Sequence, residues 1–432
     1  MTSFYIETYG CSHNFADSER MAGLLKAAQF EPVDNLEDAH IVIFNTCTLK
    51  GRAADFFFTK LEQVREENPY KVILVGGCIA QTERKRLQDY SLIGAKSLHH
   101  IVEVVEESLN DNIVKMLETG EIPPLNLPRI RKNPIIEIIP ISVGCLNDCS
   151  FCKTKAARGH LKSYRIEEIV DLARNSLKEG VKEFWLTSQD TMCYGFDIQT
   201  NLARLLMEII KIPGEFKVRV GMGNPEHLLK FKDELIQLFN HPKIFKFIHL
   251  PLQSGSDRIL KDMNRNNTVK EFVDLIKQIR EIVPNITIAT DIIAGFPTET
   301  EEDFWETLSI ARIITPDVMN ISRFWPRPKT PAADLEQLPV EEIERRKKVL
   351  TDIFHNISTL QNERWCGWQG EIIIDEKGQE EKQWVGRNPA YKPVLVEGEF
   401  KLGDIVNVKI NKTGRFDLRG EVVKTKVKVY HD

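Results

Sequence analysis

A chain of 432 residues, 42% apolar and 28% charged, has the makeup of a globular protein with core enough for two or three domains. No apolar run approaches the roughly 20 residues of a membrane span, and Met1-Thr2-Ser3-Phe4 opens without the charged and apolar segments of a leader, so a cytoplasmic protein with no membrane partner is expected. The net charge of -5 excludes a chain that is basic throughout but leaves room for the local basic patches a nucleic-acid partner needs.

Residues 3–9 alternate apolar and polar like a strand, and 18–30 carry Met21, Leu24, Leu25 and Ala28 at helical spacing behind Asp17. Ile41-Val42-Ile43-Phe44 and Val72-Ile73-Leu74-Val75 read as two more strands, apolar throughout like parallel strands covered on both faces. Helices are expected over 52–66 and 100–109, giving a small parallel α/β domain over 1–116.

Eight cysteines are too sparse for a disulfide scaffold, and their positions say more than their number. The three N-terminal strands each end beside one: Tyr9-Gly10-Cys11, Asn45-Thr46-Cys47 and Gly76-Gly77-Cys78. The carboxyl ends of parallel strands form one rim where ligands bind, so the three cysteines should converge. Gly10, Gly76 and Gly77 allow tight turns there. Three unrelated buried thiols are the competing reading, because free cysteine is among the most buried residue types.

Residues 117–134 read as a linker, broken by Pro123, Pro124, Pro128 and Pro134 and carrying Arg129, Arg131 and Lys132. From 135 to about 333 a strand-helix alternation runs six times, with strands at 135–143, 182–187, 217–221, 245–250, 287–293 and 318–324. Intervening helices are expected over 166–179, 225–239 and 269–282. Six such units describe an incomplete (β/α)6 barrel within 135–362, with its chemistry at the carboxyl ends of the strands. The motifs fall there. Ser188 and Gln189 follow strand two and Gln253 follows strand four, placed to hold the methionyl and ribose parts of a nucleoside ligand. Gly295, ending strand five, lets the backbone approach an adenine.

After the first barrel strand comes Gly144-Cys145-Leu146-Asn147-Asp148-Cys149-Ser150-Phe151-Cys152, three cysteines at C-x3-C-x2-C spacing. Three thiolates are one short of the four that close an ordinary iron-sulfur cluster. That shortfall is the mark of the radical-SAM spacing, in which S-adenosylmethionine (SAM) chelates the open iron. Structural zinc is the alternative; it wants a fourth ligand nearby, and His160 is the nearest candidate. Directly downstream, Lys153, Lys155, Arg158, Lys162 and Arg165 border the proposed cavity mouth and are read as RNA contacts; a solvated charge run is the competing reading.

A helix over 340–362 leads out of the barrel, and short strands at 371–374, 383–385, 393–395, 405–410 and 420–429 describe a small C-terminal β-barrel over 365–430. Lys409, Lys412, Arg415, Arg419, Lys424, Lys426 and Lys428 give it a basic edge suited to a nucleic-acid backbone. A plain structural cap is the alternative.

Over essentially its full length the chain resembles the radical-SAM methylthiotransferases. The resemblance rests on Tyr9-Gly10-Cys11 with Asn14 and Asp17-Ser18-Glu19, Asn45-Thr46-Cys47, Gly76-Gly77-Cys78, the central cysteine motif, 249–257, Gly295-Phe296-Pro297 and a C-terminal segment similar to a TRAM domain. Cys152-Lys153-Thr154-Lys155 followed by Ala157-Arg158-Gly159 resembles the archaeal and eukaryotic branch that acts on tRNA. The resemblance implies an α/β enzyme with SAM and two 4Fe-4S clusters, ligated by Cys145, Cys149 and Cys152 and by Cys11, Cys47 and Cys78. It implies methylthiolation of N6-threonylcarbamoyladenosine in the tRNA anticodon loop. A 5′-deoxyadenosyl radical would abstract hydrogen from C2 of the adenine, with electrons from an external donor, and the N-terminal cluster would carry the sulfur. A related branch modifies a ribosomal protein side chain, and a non-catalytic RNA-binding iron-sulfur protein is the reading from another class. Cys193 stands where the family pattern leads one to expect a small residue; a packed thiol is expected there, and a structural one at Cys366. The membrane anchor of some eukaryotic relatives has no counterpart, so an archaeal-type soluble enzyme is expected.

Overall fold

Short apolar runs alternating with amphipathic stretches fold as strands and helices from the first residues onward. The computed structural model describes residues 1–48, 51–117 and 120–423. The N-terminal unit runs β1 (Ser3–Thr8), α1 (Ser12–Ala27), β2 (Glu31–Pro32), β3 (Ile41–Thr46), α2 (Gly51–Glu67), β4 (Val72–Gly76), α3 (Gly77–Thr82), β5 (Ser91–Ile93), α4 (Ile101–Leu109) and β6 (Lys115–Met116). Its strands form one parallel sheet in the order β2-β1-β3-β4-β5-β6. Strand β3 is buried along its whole length, as a central parallel strand must be. Helix α1 starts six residues before the expected position, directly after Cys11. Its first turns are polar yet buried, with His13, Asn14, Asp17 and Ser18 facing protein rather than water, so apolar spacing could not reveal them.

The middle unit runs β7 (Ile136–Pro140), β8 (Ser142–Val143), α5 (Thr154–Arg158), β9 (Lys162–Ser163), α6 (Ile166–Lys178), β10 (Glu183–Thr187), α7 (Leu202–Ile210), β11 (Lys217–Val220), α8 (Pro225–Leu228), α9 (Lys232–Leu238), β12 (Phe247–His249), α10 (Asp257–Asp262), α11 (Val269–Ile282), β13 (Thr287–Ala294), α12 (Glu301–Ile314), β14 (Val318–Arg323) and α13 (Val340–Glu363). Two parallel sheets, β11-β10-β7 and β12-β13-β14, meet where Phe245 N–H donates to Val218 O at 2.9 Å and Gly223 N–H to His249 O at 3.1 Å. The six long strands therefore trace the open arc expected of an incomplete barrel. The helix expected over 225–239 breaks into α8 and α9, because Phe231 leaves helical geometry (φ -146°) and its ring is buried in the barrel core.

The C-terminal unit is a closed barrel of β15 (Gln369–Lys377), β16 (Gln383–Arg387), β17 (Pro393–Glu397), β18 (Ile405–Thr413) and β19 (Leu418–Val422). The rest of the last expected strand, with Lys424, Lys426 and Lys428, lies outside the described residues.

Helix α1 closes the β7 edge of the arc, where Phe15 and Ala16 pack with Ile135, Ile136 and Ile138. The segment before β7 is strapped down rather than loose: Arg129 and Arg131 both pair with the buried Glu137, and Ile130 N–H donates to Glu19 O at 2.9 Å. The C-terminal barrel docks at the opposite, amino ends of the strands. There Lys246 N–H donates to Pro389 O at 2.8 Å, Thr287 Oγ1 to Ala390 O at 2.7 Å, and Tyr391 packs among Trp185, Phe245 and Phe247. Asp317, its side chain fully buried, pairs with Lys392 at 3.0 Å and Arg364 at 2.9 Å. No helix among the described residues is long and apolar enough to cross a membrane.

Glu19, at the junction of α1 with the segment before β7, accepts the Lys132 N–H at 2.9 Å. Burial pushes its carboxyl up from 4.5 to about 7, against the lowering effect of that hydrogen bond. A carboxyl raised on folding contributes stability that is complete below the unfolded pKa and is lost as pH rises through the folded one. Glu19→Gln is therefore expected to match the parent near pH 4 and to exceed it at pH 8 by on the order of 3 kcal/mol, read from urea unfolding across that range.

Candidate active site at the strand ends

The first three cysteines converge as the strand polarity requires. Cys11 follows β1, Cys47 follows β3, and Cys78 lies in the first turn of α3 behind β4. Gly10 has φ +125°, and a Cβ there would stand 2.6 Å from Cys47 Cβ and 3.0 Å from its Sγ. Gly77 has φ +82°, and a Cβ there would stand 2.5 Å from Thr46 O. Only glycine lets the turns carrying Cys11 and Cys78 close on Cys47. Asn14 and Asn45 lock this arrangement: Asn14 Nδ2 donates to Thr46 O and Asn45 Nδ2 to Asn14 O, both at 2.8 Å. Cys11 Sγ donates to Asn14 Oδ1 at 3.4 Å. Burial raises the Cys78 thiol, Arg158 opposes the rise, and Cys11 adds to it.

Each sulfur of the central loop has a nitrogen donor beside it, two from adjacent backbone and one from Arg265. Asn147 N–H donates to Cys145 Sγ and Thr154 N–H to Cys152 Sγ, each at 3.4 Å, and Arg265 Nη1 lies 3.8 Å from Cys149 Sγ. Such donors favour sulfur in its anionic, metal-binding form. Burial first, and then the Asp190 charge, push the Cys145 thiol up to about 12; burial also raises Cys149, with Arg265 opposing. Bare thiolates are thus disfavoured here, and a bound metal centre supplies the positive charge that makes them stable.

Zinc does not fit either trio. Around tetrahedral zinc, with Zn–S bonds of about 2.3 Å, sulfurs stand about 3.8 Å apart. Among the described residues, the one set of three ligand atoms within 4.8 Å of one another is Asp190, Cys193 and His227. Both cysteine trios are spread more widely, as suits a cluster that takes each thiolate on a different iron. His160 is exposed and joins no such set.

Asp190, which sequence reasoning passed over as a site residue, is the node beneath this loop. Its carboxylate accepts from Met192 N–H at 3.0 Å, Asn224 N–H at 2.9 Å, Asn224 Nδ2 at 2.7 Å and His227 Nδ1 at 2.6 Å. Burial alone would raise its pKa, but His227 and Asn224 outweigh burial and hold it below the usual value. Asn224 in turn accepts from Arg265, which places that guanidinium against Cys149. The Asn224-Pro225 pair at a strand end was a legible signal for part of this network. Arg265, in an otherwise polar turn, offered none.

Gln189 Oε1 accepts the Gly144 N–H at 2.7 Å while its Nε2 meets His13 Nδ1 at 3.0 Å, tying the cluster loop to the N-terminal unit. Ser188 Oγ accepts the Asp190 N–H at 3.0 Å. Gln253 adopts φ +77° and joins β13 through its backbone. Gly295, expected to admit a ligand, instead admits α13: a Cβ there would stand 2.7 Å from the Ile343 side chain, and its N–H donates to Glu299 Oε2 at 2.9 Å.

The basic segment divides. Lys162 and Arg165 are exposed, and Lys155 pairs with Asp148 at 2.7 Å beside the loop. The RNA-contact expectation is corrected for Lys153 and Arg158. Lys153 is buried against Glu83, and Arg158 is buried against Asp17 at 2.7 Å; both partners belong to the N-terminal unit.

Comparison with known proteins adds to this geometry. Residues 139–311 match the radical SAM superfamily, 3–93 the uncharacterized protein family UPF0004, and 369–423 the TRAM domain. A human threonylcarbamoyladenosine tRNA methylthiotransferase is 41% identical, with 99% of this chain and 75% of that protein aligned. A probable threonylcarbamoyladenosine tRNA methylthiotransferase of Pyrococcus abyssi is 40% identical over 94% of this chain and 97% of its own length. The chain belongs to this methylthiotransferase family. Among solved structures, the radical S-adenosylmethionine methyltransferase TsrM of Kitasatospora setae, with cobalamin and a 4Fe-4S cluster bound, shares the fold at TM-score 0.57 and 14% identity, each chain covered to 77%. As a radical SAM methylthiotransferase, the chain is an enzyme whose cofactors are SAM and 4Fe-4S clusters.

Cys193, expected to be a packed thiol, is fully buried and donates to Asp190 O at 3.2 Å. Burial first, then the charges of Asp190 and Cys145, raise its thiol far out of the reactive range. Cys366, expected to be structural, is exposed instead. Alkylation of the native protein followed by peptide mapping is expected to label Cys366 within minutes and to leave Cys193 unlabelled until urea unfolds the chain.

Proposed function

We propose that this chain converts N6-threonylcarbamoyladenosine beside the tRNA anticodon into its 2-methylthio derivative, with Cys145, Cys149 and Cys152 holding one 4Fe-4S cluster and Cys11, Cys47 and Cys78 a second. The substrate rests on the full-length likeness to enzymes named for it. The observation that carries the division of labour is the packing of α3, which bears Cys78, against α5, which follows Cys152. Arg327 supports it: its Nη1 donates to Phe151 O at 3.1 Å, and it feels the charges of both Cys152 and Cys47. The two trios therefore border one space.

With SAM and an external electron donor, the central cluster supplies a radical route to an unactivated C–H bond. The chain's own part is position. Ser188, Gln189 and Gln253 offer SAM its polar contacts, and Gly295 seats α13 behind them. Lys155, Lys162 and Arg165 meet phosphates near the rim. On the C-terminal barrel Lys409, Lys412, Arg415 and Arg419 are all exposed, and Phe416, 60% exposed at the β18–β19 turn, offers a stacking face to an RNA base. A single-stranded anticodon loop presents its bases at little unstacking cost. The functional units on this reading are 1–116, the connection 117–134, 135–362 and 365–430.

Mass spectrometry of tRNA nucleosides after incubation with the reconstituted enzyme tests the substrate; a methylthio mass gained only by a ribosomal protein would overturn it. Cys47→Ala is expected to keep SAM cleavage within about twofold of the parent while lowering sulfur insertion by on the order of a hundredfold or more. Equal loss of both would argue against two separate clusters.

A further inference from the structure

Arg158 heads the fully buried side chains by volume and is 1% exposed. It leaves the end of α5, crosses out of the radical SAM unit, and enters the N-terminal unit. Its Nη2 reaches Asp17 Oδ2 at 2.7 Å and Asn14 Oδ1 at 3.4 Å. Its Nη1 is buried and meets no acceptor at full hydrogen-bond geometry. The guanidinium lies close enough to the Cys78 thiol to oppose, by charge and by a weaker hydrogen-bond contact, the rise that burial causes there, while the Cys11 charge also acts on it.

Charge counting sharpens this. Arg20 and Arg158 are both buried beside Asp17. Two cations therefore share one carboxylate. A buried guanidinium with an unmet N–H is costly unless an anion completes it. A 4Fe-4S core of charge about +2 on three thiolates carries a net negative charge, and Cys78 and Cys11, two of the three thiols that would hold it, are the sulfurs whose charges act on Arg158.

We propose that Arg158 is the counter-ion of the cluster held by Cys11, Cys47 and Cys78, so that the N-terminal cluster site is completed by a side chain from the radical SAM unit. The role rests on the cysteine assignment above. Arg158 acts as a positioning residue: it orients Cys78 and Cys11 through their sulfurs and favours the more negative, reduced state of the cluster, raising its reduction potential.

The test uses the full chain with Cys145, Cys149 and Cys152 all changed to alanine, which leaves one trio to bind iron. Adding Arg158→Gln should lower the midpoint potential of the remaining cluster, followed by redox titration with electron paramagnetic resonance, by at least a tenfold change in equilibrium, about 59 mV for one electron. Arg158→Lys, which keeps the charge without the planar fork, should recover at least half of that shift. An unchanged potential in Arg158→Gln, or no recovery in Arg158→Lys, overturns the proposal. If Arg158→Gln instead fails to hold the cluster, iron analysis in the chain with all its cysteines decides. Loss of the N-terminal iron alone, with the SAM-dependent signal of the central cluster intact, supports the role; loss of both refutes it in favour of general misfolding. A triple-alanine parent that binds no iron overturns the cysteine assignment itself, and this role with it.

Discussion

A guanidinium and a carboxylate withdrawn from water hold the two cysteine-bearing halves of this chain together. Arg158 and Asp17 are each almost fully buried, and a buried charge keeps its place only while its partner does. The consequence reaches the thiols on both sides. Asp17 lies in α1, the helix that begins directly after Cys11. Arg158 ends α5, and the carbonyl of the next residue, Gly159, accepts the Cys145 N–H at 3.2 Å. Residues 145–159 therefore form a loop closed at its base, with three thiols on its span and the interdomain cation at its closure. Lys153 with Glu83, and Gln189 with His13, brace the same boundary. Neither trio can shift without straining the contact that locates the other.

Much of this architecture was legible because its signals are local. Helix α11 occupies the expected residues because Thr268 and Glu271 form a capping box that fixes its start. The barrel strands announced themselves by apolar runs, and the convergence of Cys11, Cys47 and Cys78 followed from strand polarity alone. What stayed hidden depended on distant parts of the chain. A sequence displays the charge of Lys153 and Arg158 but not the second domain that covers them, so a surface role was the natural expectation. Gly295 looked like a ligand approach because its real neighbour, Ile343, lies in a helix that returns across the rim much later in the chain. The short β2, β5 and β6 were missed for a related reason: two or three residues carry too little pattern, and pairing with an existing sheet edge is what makes them strands.

Asp190 illustrates how a polar core can serve a reaction centre it does not touch. Four donors converge on one carboxylate, and through Asn224 the network aims Arg265 at Cys149. Burying so many polar groups is tolerable because the carboxylate at its centre and the Asn224 side chain that bridges to Arg265 are matched. The return is a loop whose sulfurs already face donors before any metal arrives.

Helix α13 joins the two ends of the molecule. Near its start Arg346 pairs with Glu299 behind the rim at 2.8 Å. Near its finish Ser358 and Asn362 hold the carbonyls of Gly414 and Arg415 in the β18–β19 turn. The 12 to 16 residues between these contacts, at about 1.5 Å each, separate them by about 18–24 Å. The helix is thus a caliper with the thiols near one jaw and the exposed basic turn at the other. On the function proposed above, a free nucleoside would reach only the first jaw, and an RNA as long as the gap between them would reach both.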